Sequence, residues 1–98
     1  MQFLITAYDG DDPEAMNRRL AVREAHLAGM GLLKAAGHFI AGGAILDDDG
    51  NMIGSTLYVD FASREELDKW LNSDPYITGN VWQDISVQPI RLALADSG

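Results

Sequence analysis

Residues 12–37 read DPEAMNRRLAVREAHLAGMGLLKAAG, and the way this run folds decides the class of the whole chain. Large apolar side chains recur at Met16, Leu20, Leu27, Met30 and Leu33, the spacing that puts residues on one side of a helix. Asp12 is the expected N-cap, Pro13 the first helical residue, Glu14 a favourable charge at the positive end of the dipole, and Gly37 the stop. A helix of about 24 residues, roughly 36 Å long, is predicted. At about 100° per residue, Arg19, Arg23, His26, Met30 and Leu33 share one sector, with Met16, Leu20 and Leu27 beside them. Arg23 and His26 therefore interrupt an apolar seam. Burying a charge without a partner is costly, so both must face a counter-charge or a wet cavity, and the expectation is a polar pocket floor. Gly29 and Gly31 each cost about 1 kcal/mol relative to alanine in a helix interior, which predicts close packing or a bend there.

On either side of this helix the period changes from helical to alternating. Residues 2–8 read as a short strand that ends in the acidic turn from Asp9 to Asp12. Residues 38–46 and 51–61 read as two strands joined through Asp47-Asp48-Asp49-Gly50-Asn51, whose members tolerate positive φ, so a hairpin is expected. Ser63, with Glu66 three positions on, opens a second helix by a capping-box pattern; Leu67, Trp70 and Leu71 form its apolar face, and it ends before Pro75. A loop is expected over 72–80. Residues 81–94 contain Pro89 and suit an edge or bulged strand, and the tail Asp96-Ser97-Gly98 is expected to fray. The order strand, helix, strand, strand, helix, strand matches the ferredoxin-like split βαβ, an α+β fold with a four-stranded antiparallel sheet and both helices on one face. Its other face also needs cover, and a second copy laying its sheet there makes a homodimer the expectation.

The 98 residues make one domain, 1–98, with no repeat or linker. With no cysteine there is no disulfide, no thiolate nucleophile and no thiolate metal site. No apolar run approaches the roughly 20 residues needed to span a bilayer, and residues 1–7 lack the basic start of a signal peptide, so a cytoplasmic protein with no membrane partner is expected. Formal net charge is −8 and no basic face is present, which argues against nucleic acid as a partner. An anionic small molecule stays possible, because Arg19 and Arg23 outweigh screened distant charge.

Candidate site residues follow from spacing. Arg23 and His26 lie three apart, about one helical turn, and can converge on one point. Two readings stand side by side: a functional pair, or a satisfied histidine at the core edge beside an arginine paired with a distant acid. Ser73-Asp74-Pro75-Tyr76 is equally a common helix stop and a source of an oriented carboxylate, since Pro75 holds Asp74 extended. In the functional reading Asp74 accepts from an imidazole N–H and fixes its tautomer, making a usable general base. Gly42 and Gly43 either let a ligand approach the backbone closely or mark a bulge. Asp47, Asp49 and Asn51 fail as a calcium loop, because Tyr58 stands where the bidentate glutamate is required. His26 and His38 are not brought together by any short element, so no metal site and no cofactor is expected. His38 is expected at the surface, and Trp70 and Trp82 in packing.

The run from Arg18 to Leu27, with Ala41-Gly42-Gly43, Asp48-Asp49-Gly50, Gly54-Ser55 and Ser73-Asp74-Pro75-Tyr76, resembles the YCII-related (YciI-like) family over nearly the whole chain. The resemblance implies a dimeric α/β barrel of ferredoxin-like topology and His26 with Asp74 as the active pair. It further implies Arg23 as the arginine one turn before the histidine and Ser55 as a residue of the same cleft. Ala41-Gly42-Gly43 stands where the family commonly has Ala-Gly-Pro, so a looser pocket wall is expected. Most members have no assigned reaction; one related enzyme eliminates chloride from a chlorinated hydroxyhydroquinone.

Together these observations predict an enzyme for a small cyclic or anionic organic molecule, working by isomerisation or elimination. His26 moves the proton and Asp74 orients it; Arg23, with Arg19, holds a carboxylate or developing enolate, while Gly42, Ser55 and Tyr76 complete the binding site. Two other readings use the same residues: a metabolite-binding module without catalysis, and a structural polar network joining helix to loop.

Overall fold

The chain runs β1 (Gln2–Asp9), α1 (Ala15–Ala35), β2 (Phe39–Leu46), β3 (Met52–Asp60), α2 (Arg64–Ser73), α3 (Pro75–Thr78) and β4 (Trp82–Ile90) in a computed structural model that describes residues 1–93. The four strands form one antiparallel sheet in the order β2-β3-β1-β4. With one helix between β1 and β2 and the other two between β3 and β4, this is the ferredoxin-like α+β arrangement.

Alternation along the strands explains the layering. Phe3, Ile5 and Ala7 of β1 and Ser55, Leu57 and Val59 of β3 are buried, whereas the intervening Leu4, Thr6, Thr56 and Tyr58 are half-buried and Tyr8 is exposed. The buried set meets Met30 and Leu33 of α1, Leu67 and Leu71 of α2, and Tyr76, Val81 and Trp82 in one core. Pro89 lies on β4, an edge strand paired with β1 alone, where its missing N–H breaks no ladder. The register slips between Tyr8 and Asp9, which leaves Trp82 opposite Asp9.

Several boundaries differ from the sequence expectation. Helix α1 starts at Ala15, because Asp12 makes a separate turn: its carboxylate accepts from the Glu14 N–H at 3.2 Å and from Arg18 at 2.8 and 2.6 Å. The Arg18 guanidinium holds the Asp12 carboxyl down at about 2. The C-terminus is as expected, with Gly37 at φ +83° and the His38 N–H donating to Leu33 O. The seam of α1 is rotated toward Arg19, His26, Met30 and Leu33, its buried residues, while Leu20 and Leu27 are about half exposed (53% and 48%). Packing within the chain does not explain Gly29 and Gly31: a Cβ at either would meet nothing within 4 Å. The expected loop over 72–80 contains α3 and the end of α2. The last strand stops at Ile90, short of the expected end, and Leu94 and the tail Asp96-Ser97-Gly98 lie outside the described residues. Among the described residues no helix is long and apolar enough to cross a membrane.

Candidate active site

Capping chemistry sets the geometry of Asp74. Pro75 confines it to extended backbone, φ −68° and ψ 139°, so α2 ends and α3 begins on the same residue. Asp74 Oδ2 accepts the Tyr76 N–H at 2.9 Å and lies 2.8 Å from His26 Nδ1. Both side chains are buried. An ionised carboxylate can only accept, so Nδ1 carries a hydrogen, and in the neutral imidazole Nε2 carries the lone pair. Among the described residues Nε2 has no hydrogen-bond partner, and His26 lines a cavity of about 200 Å³. The imidazole is stacked on Tyr76, with centroids 3.8 Å apart and planes 12° from parallel, and meets Trp82 edge-on at 5.6 Å. Three contacts therefore fix the ring of a residue that lines the cavity.

The cavity is bounded by α1, by β2 and β3, and by Tyr76. Arg19, Arg23, His26, Leu27 and Met30 line it from the helix; Phe39, Gly42, Gly43 and Ala44 from β2; Met52, Ser55 and Leu57 from β3. Asp74 stands behind His26 and is absent from this lining.

The two arginines, expected in one sector, take different places. Arg19 is the buried one, at 3% exposure; its Nη1 donates to both oxygens of Asp9 at 3.0 and 3.1 Å, and its Nη2 to Ser55 Oγ at 3.0 Å. Its guanidinium lies 4.8 Å from the centre of the Tyr76 ring, and its buried Nε has no partner. Arg19 thus meets protein partners through both terminal nitrogens while still lining the cavity. Arg23 is exposed at the rim, without an ion pair among the described residues, and so does not form the floor. The reason is geometric: the helix turns to bring Arg19 to Asp9 and His26 to Asp74, which carries Arg23 outward.

Gly42 lines the wall where β2 approaches β3 closely. A Cβ there would stand 2.5 Å from Leu57 Cδ2 and 3.0 Å from Thr56 O, and a bulge lies one step away between Phe39 and Ala41. Close strand packing thus accounts for Gly42, while Gly43 has open space above it. His38 differs from the surface residue expected: it is half-buried, stacked on Phe61 and bonded through Nδ1 to Asp60 O at 2.8 Å.

Sequence reasoning missed Asp9 and Trp82. Asp9 looked like one of several turn acids; its distinguishing position, at the end of β1 where the register slips, emerges only in the sheet. Trp82 packs in the core as expected, and the bond its Nε1 donates to Ser55 Oγ at 3.2 Å is what spacing does not reveal.

Burial pushes the Tyr76 phenol above its ordinary value of 10, against a smaller opposing pull from Arg19 and Arg23. In the unfolded chain this phenol ionises first, so its contribution to stability is complete below pH 10 and is lost as pH rises through the folded value. The expected result is a melting temperature that falls above pH 10, and falls less in Tyr76→Phe. Circular-dichroism melts across pH 8–12 check this, and equal declines in both proteins would count against it.

Three kinds of likeness accompany this geometry. The YCII-related domain matches residues 1–91. The protein YciI of Escherichia coli is 33% identical over 94 residues, covering 90% of this chain and 96% of its own, and an uncharacterized protein of Haemophilus influenzae is 32% identical over 97, covering 93% and 97%. Among solved structures, the 5-chloro-2-hydroxyhydroquinone dehydrochlorinase TftG of Burkholderia phenoliruptrix, in complex with 2,5-dihydroxybenzoquinone, superimposes with a TM-score of 0.80 at 29% identity. It covers 93% of this chain and 94% of its own. A Mycobacterium tuberculosis protein, Rv0793, shares the fold at a TM-score of 0.53 and 19% identity, over 96% of this chain and all of its own. The domain match spans nearly the full length, relatives reach 33% identity over most of the chain, and the chain belongs to the YCII-related family.

Proposed function

We propose that this chain is an acid–base enzyme for a small cyclic, hydroxylated or anionic organic molecule, of lyase (elimination) or isomerase type. The observation that carries the reading is the buried 2.8 Å contact between His26 Nδ1 and Asp74 Oδ2, with Nε2 bonded to no described residue and His26 lining the cavity. Such a base takes a proton from a substrate O–H or C–H. In an elimination the released electron pair forms the new π bond, and the leaving group departs with its own bonding pair. Asp74 balances the imidazolium that forms, and Arg23 at the rim attracts an anionic substrate. Support comes from TftG, whose name describes a dehydrochlorination and which aligns over nearly the whole chain.

The direct test is to add 2,5-dihydroxybenzoquinone while following the imidazole signals by NMR, and to assay chloride release from 5-chloro-2-hydroxyhydroquinone. His26 signals are expected to shift while those of His38 hold still, with chloride released. Binding without turnover would leave a binding module; no effect on His26 would sink the proposal.

We further propose that the working form is a homodimer joined through the outer sheet face. There Leu4, Tyr8 and Tyr58 stand without cover from any helix, an apolar surface of the kind that subunits bury. Sedimentation at micromolar concentration should give twice the chain mass of 10.7 kDa. A single-chain mass would refute it.

A further inference from the structure

The hydrogen-bond inventory of Ser55 determines what kind of atom can meet it. A serine hydroxyl has one O–H and two lone pairs. Both lone pairs are engaged, one by Arg19 Nη2 at 3.0 Å and the other by Trp82 Nε1 at 3.2 Å. Neither donor can reverse its role, because guanidinium and indole N–H groups only donate. Ser55 is 4% exposed, no atom among the described residues accepts its proton, and it lines the same cavity as His26.

We infer that the Ser55 hydroxyl is a fixed hydrogen-bond donor aimed into the cavity, and that the site therefore selects a ligand bearing an acceptor oxygen for Ser55 together with an acidic hydrogen for His26. The inference rests on His26 acting as base and deepens that reading by naming the ligand class. Hydroxyquinones and enolised dicarbonyls carry both features, a carbonyl or oxyanion and an acidic O–H. A cavity of about 200 Å³ is smaller than the roughly 300–1,000 Å³ of sites for drug-sized molecules, so one ring fits. The same inventory removes Ser55 as a nucleophile. Attack needs a lone pair pointed at substrate and a base within hydrogen-bond reach, and Ser55 has its lone pairs on Arg19 and Trp82 and no bond to His26. Trp82, outside the cavity lining, is a positioning residue: it takes the lone pair that would otherwise let the hydroxyl turn.

The test is titration of the full chain with 2,5-dihydroxybenzoquinone, comparing wild type, Ser55→Ala and His26→Gln. Ser55→Ala is expected to raise Kd about 10- to 100-fold, the range for losing a hydrogen bond to a charged acceptor. An unchanged Kd in Ser55→Ala, with His26 NMR signals still responding, overturns the inference and leaves the His26 reading intact. Loss of affinity in Ser55→Ala without any His26 response overturns the His26 reading and with it the acidic-hydrogen half of the ligand class, leaving only the Ser55 donor, and absence of binding to wild type overturns both. Ser55→Ala also strips the partner from two buried donors, so a crystal structure of the wild-type complex decides the matter if that variant fails to fold. A ligand oxygen within about 3 Å of Ser55 Oγ is expected. A ligand seated with no oxygen there overturns the proposal.

Discussion

Asp74→Asn should lower the rate of proton transfer by about 10²- to 10³-fold while leaving the protein folded. The separation of effects comes from an unusual detail: the His26 and Tyr76 donors both land on one oxygen, Oδ2. An amide oxygen in that place keeps both bonds, so the caps of α2 and α3 survive. What disappears is the charge. A carboxylate about 4 Å from an imidazolium is worth about 4 kcal/mol at an effective dielectric of 20, and each 1.36 kcal/mol lost from the transition state is tenfold in rate. Asp74→Ala differs, because it leaves two buried donors unpaired, at about 1–3 kcal/mol each, and should melt earlier as well as slow down. His26→Gln should take the rate to the floor of the assay. Chloride release from 5-chloro-2-hydroxyhydroquinone with parallel thermal melts measures all three, and an Asp74→Asn variant as fast as wild type would remove Asp74 from the mechanism.

Asp9→Ala should cost about 3–5 kcal/mol of stability, the largest loss expected from a single change in the described polar groups. Arg19 and Asp9 are each about 4% exposed, so the guanidinium left behind has no water to replace its partner. Its Nε already lacks one. The same change should loosen the site, since Arg19 lies against Tyr76 and supplies one of the two bonds on Ser55. Replacing both members, Asp9→Ala with Arg19→Met, removes the stranded charge and should recover much of the loss. Urea denaturation of the single and double variants gives the coupling. A loss below 1 kcal/mol in Asp9→Ala would mean that the pair is held apart by water in solution.

Much of the architecture was legible in local chemistry. Gly37 ended α1 through a positive φ, Ser63 capped α2 by accepting the Glu66 N–H at 3.2 Å, and Asp47 with Gly50 closed the hairpin. These signals act between near neighbours, so spacing along the chain reports them faithfully. Asp74 belongs to this group as well, because Pro75 dictates its backbone whatever it later contacts.

The rotation of α1 was less legible. Periodicity placed Leu20 and Leu27 at the edge of the seam without saying which flank of Arg19 and His26 would turn inward. Two long-range polar bonds decided it, Arg19 to Asp9 across ten residues and His26 to Asp74 across forty-eight. Apolar burial is non-directional and tolerates a tilt of the helix, whereas a buried ion pair or imidazole–carboxylate bond does not. For that reason Arg19 and Arg23, which share one sector by spacing, part company: Arg19 is buried and Arg23 is exposed at the rim.

The sequence by itself determined the order of elements, the α+β class, the extended backbone at Asp74 and the candidacy of His26, because each depends on period, caps or the neighbour of a proline. Only the tertiary structure decided which arginine is buried, that Nδ1 of His26 is the nitrogen that meets Asp74, and that both acceptor positions of Ser55 are taken by Arg19 and Trp82. Those facts are hydrogen-bond inventories, and an inventory closes only when strands and helices distant in sequence bring donors and acceptors within about 3 Å.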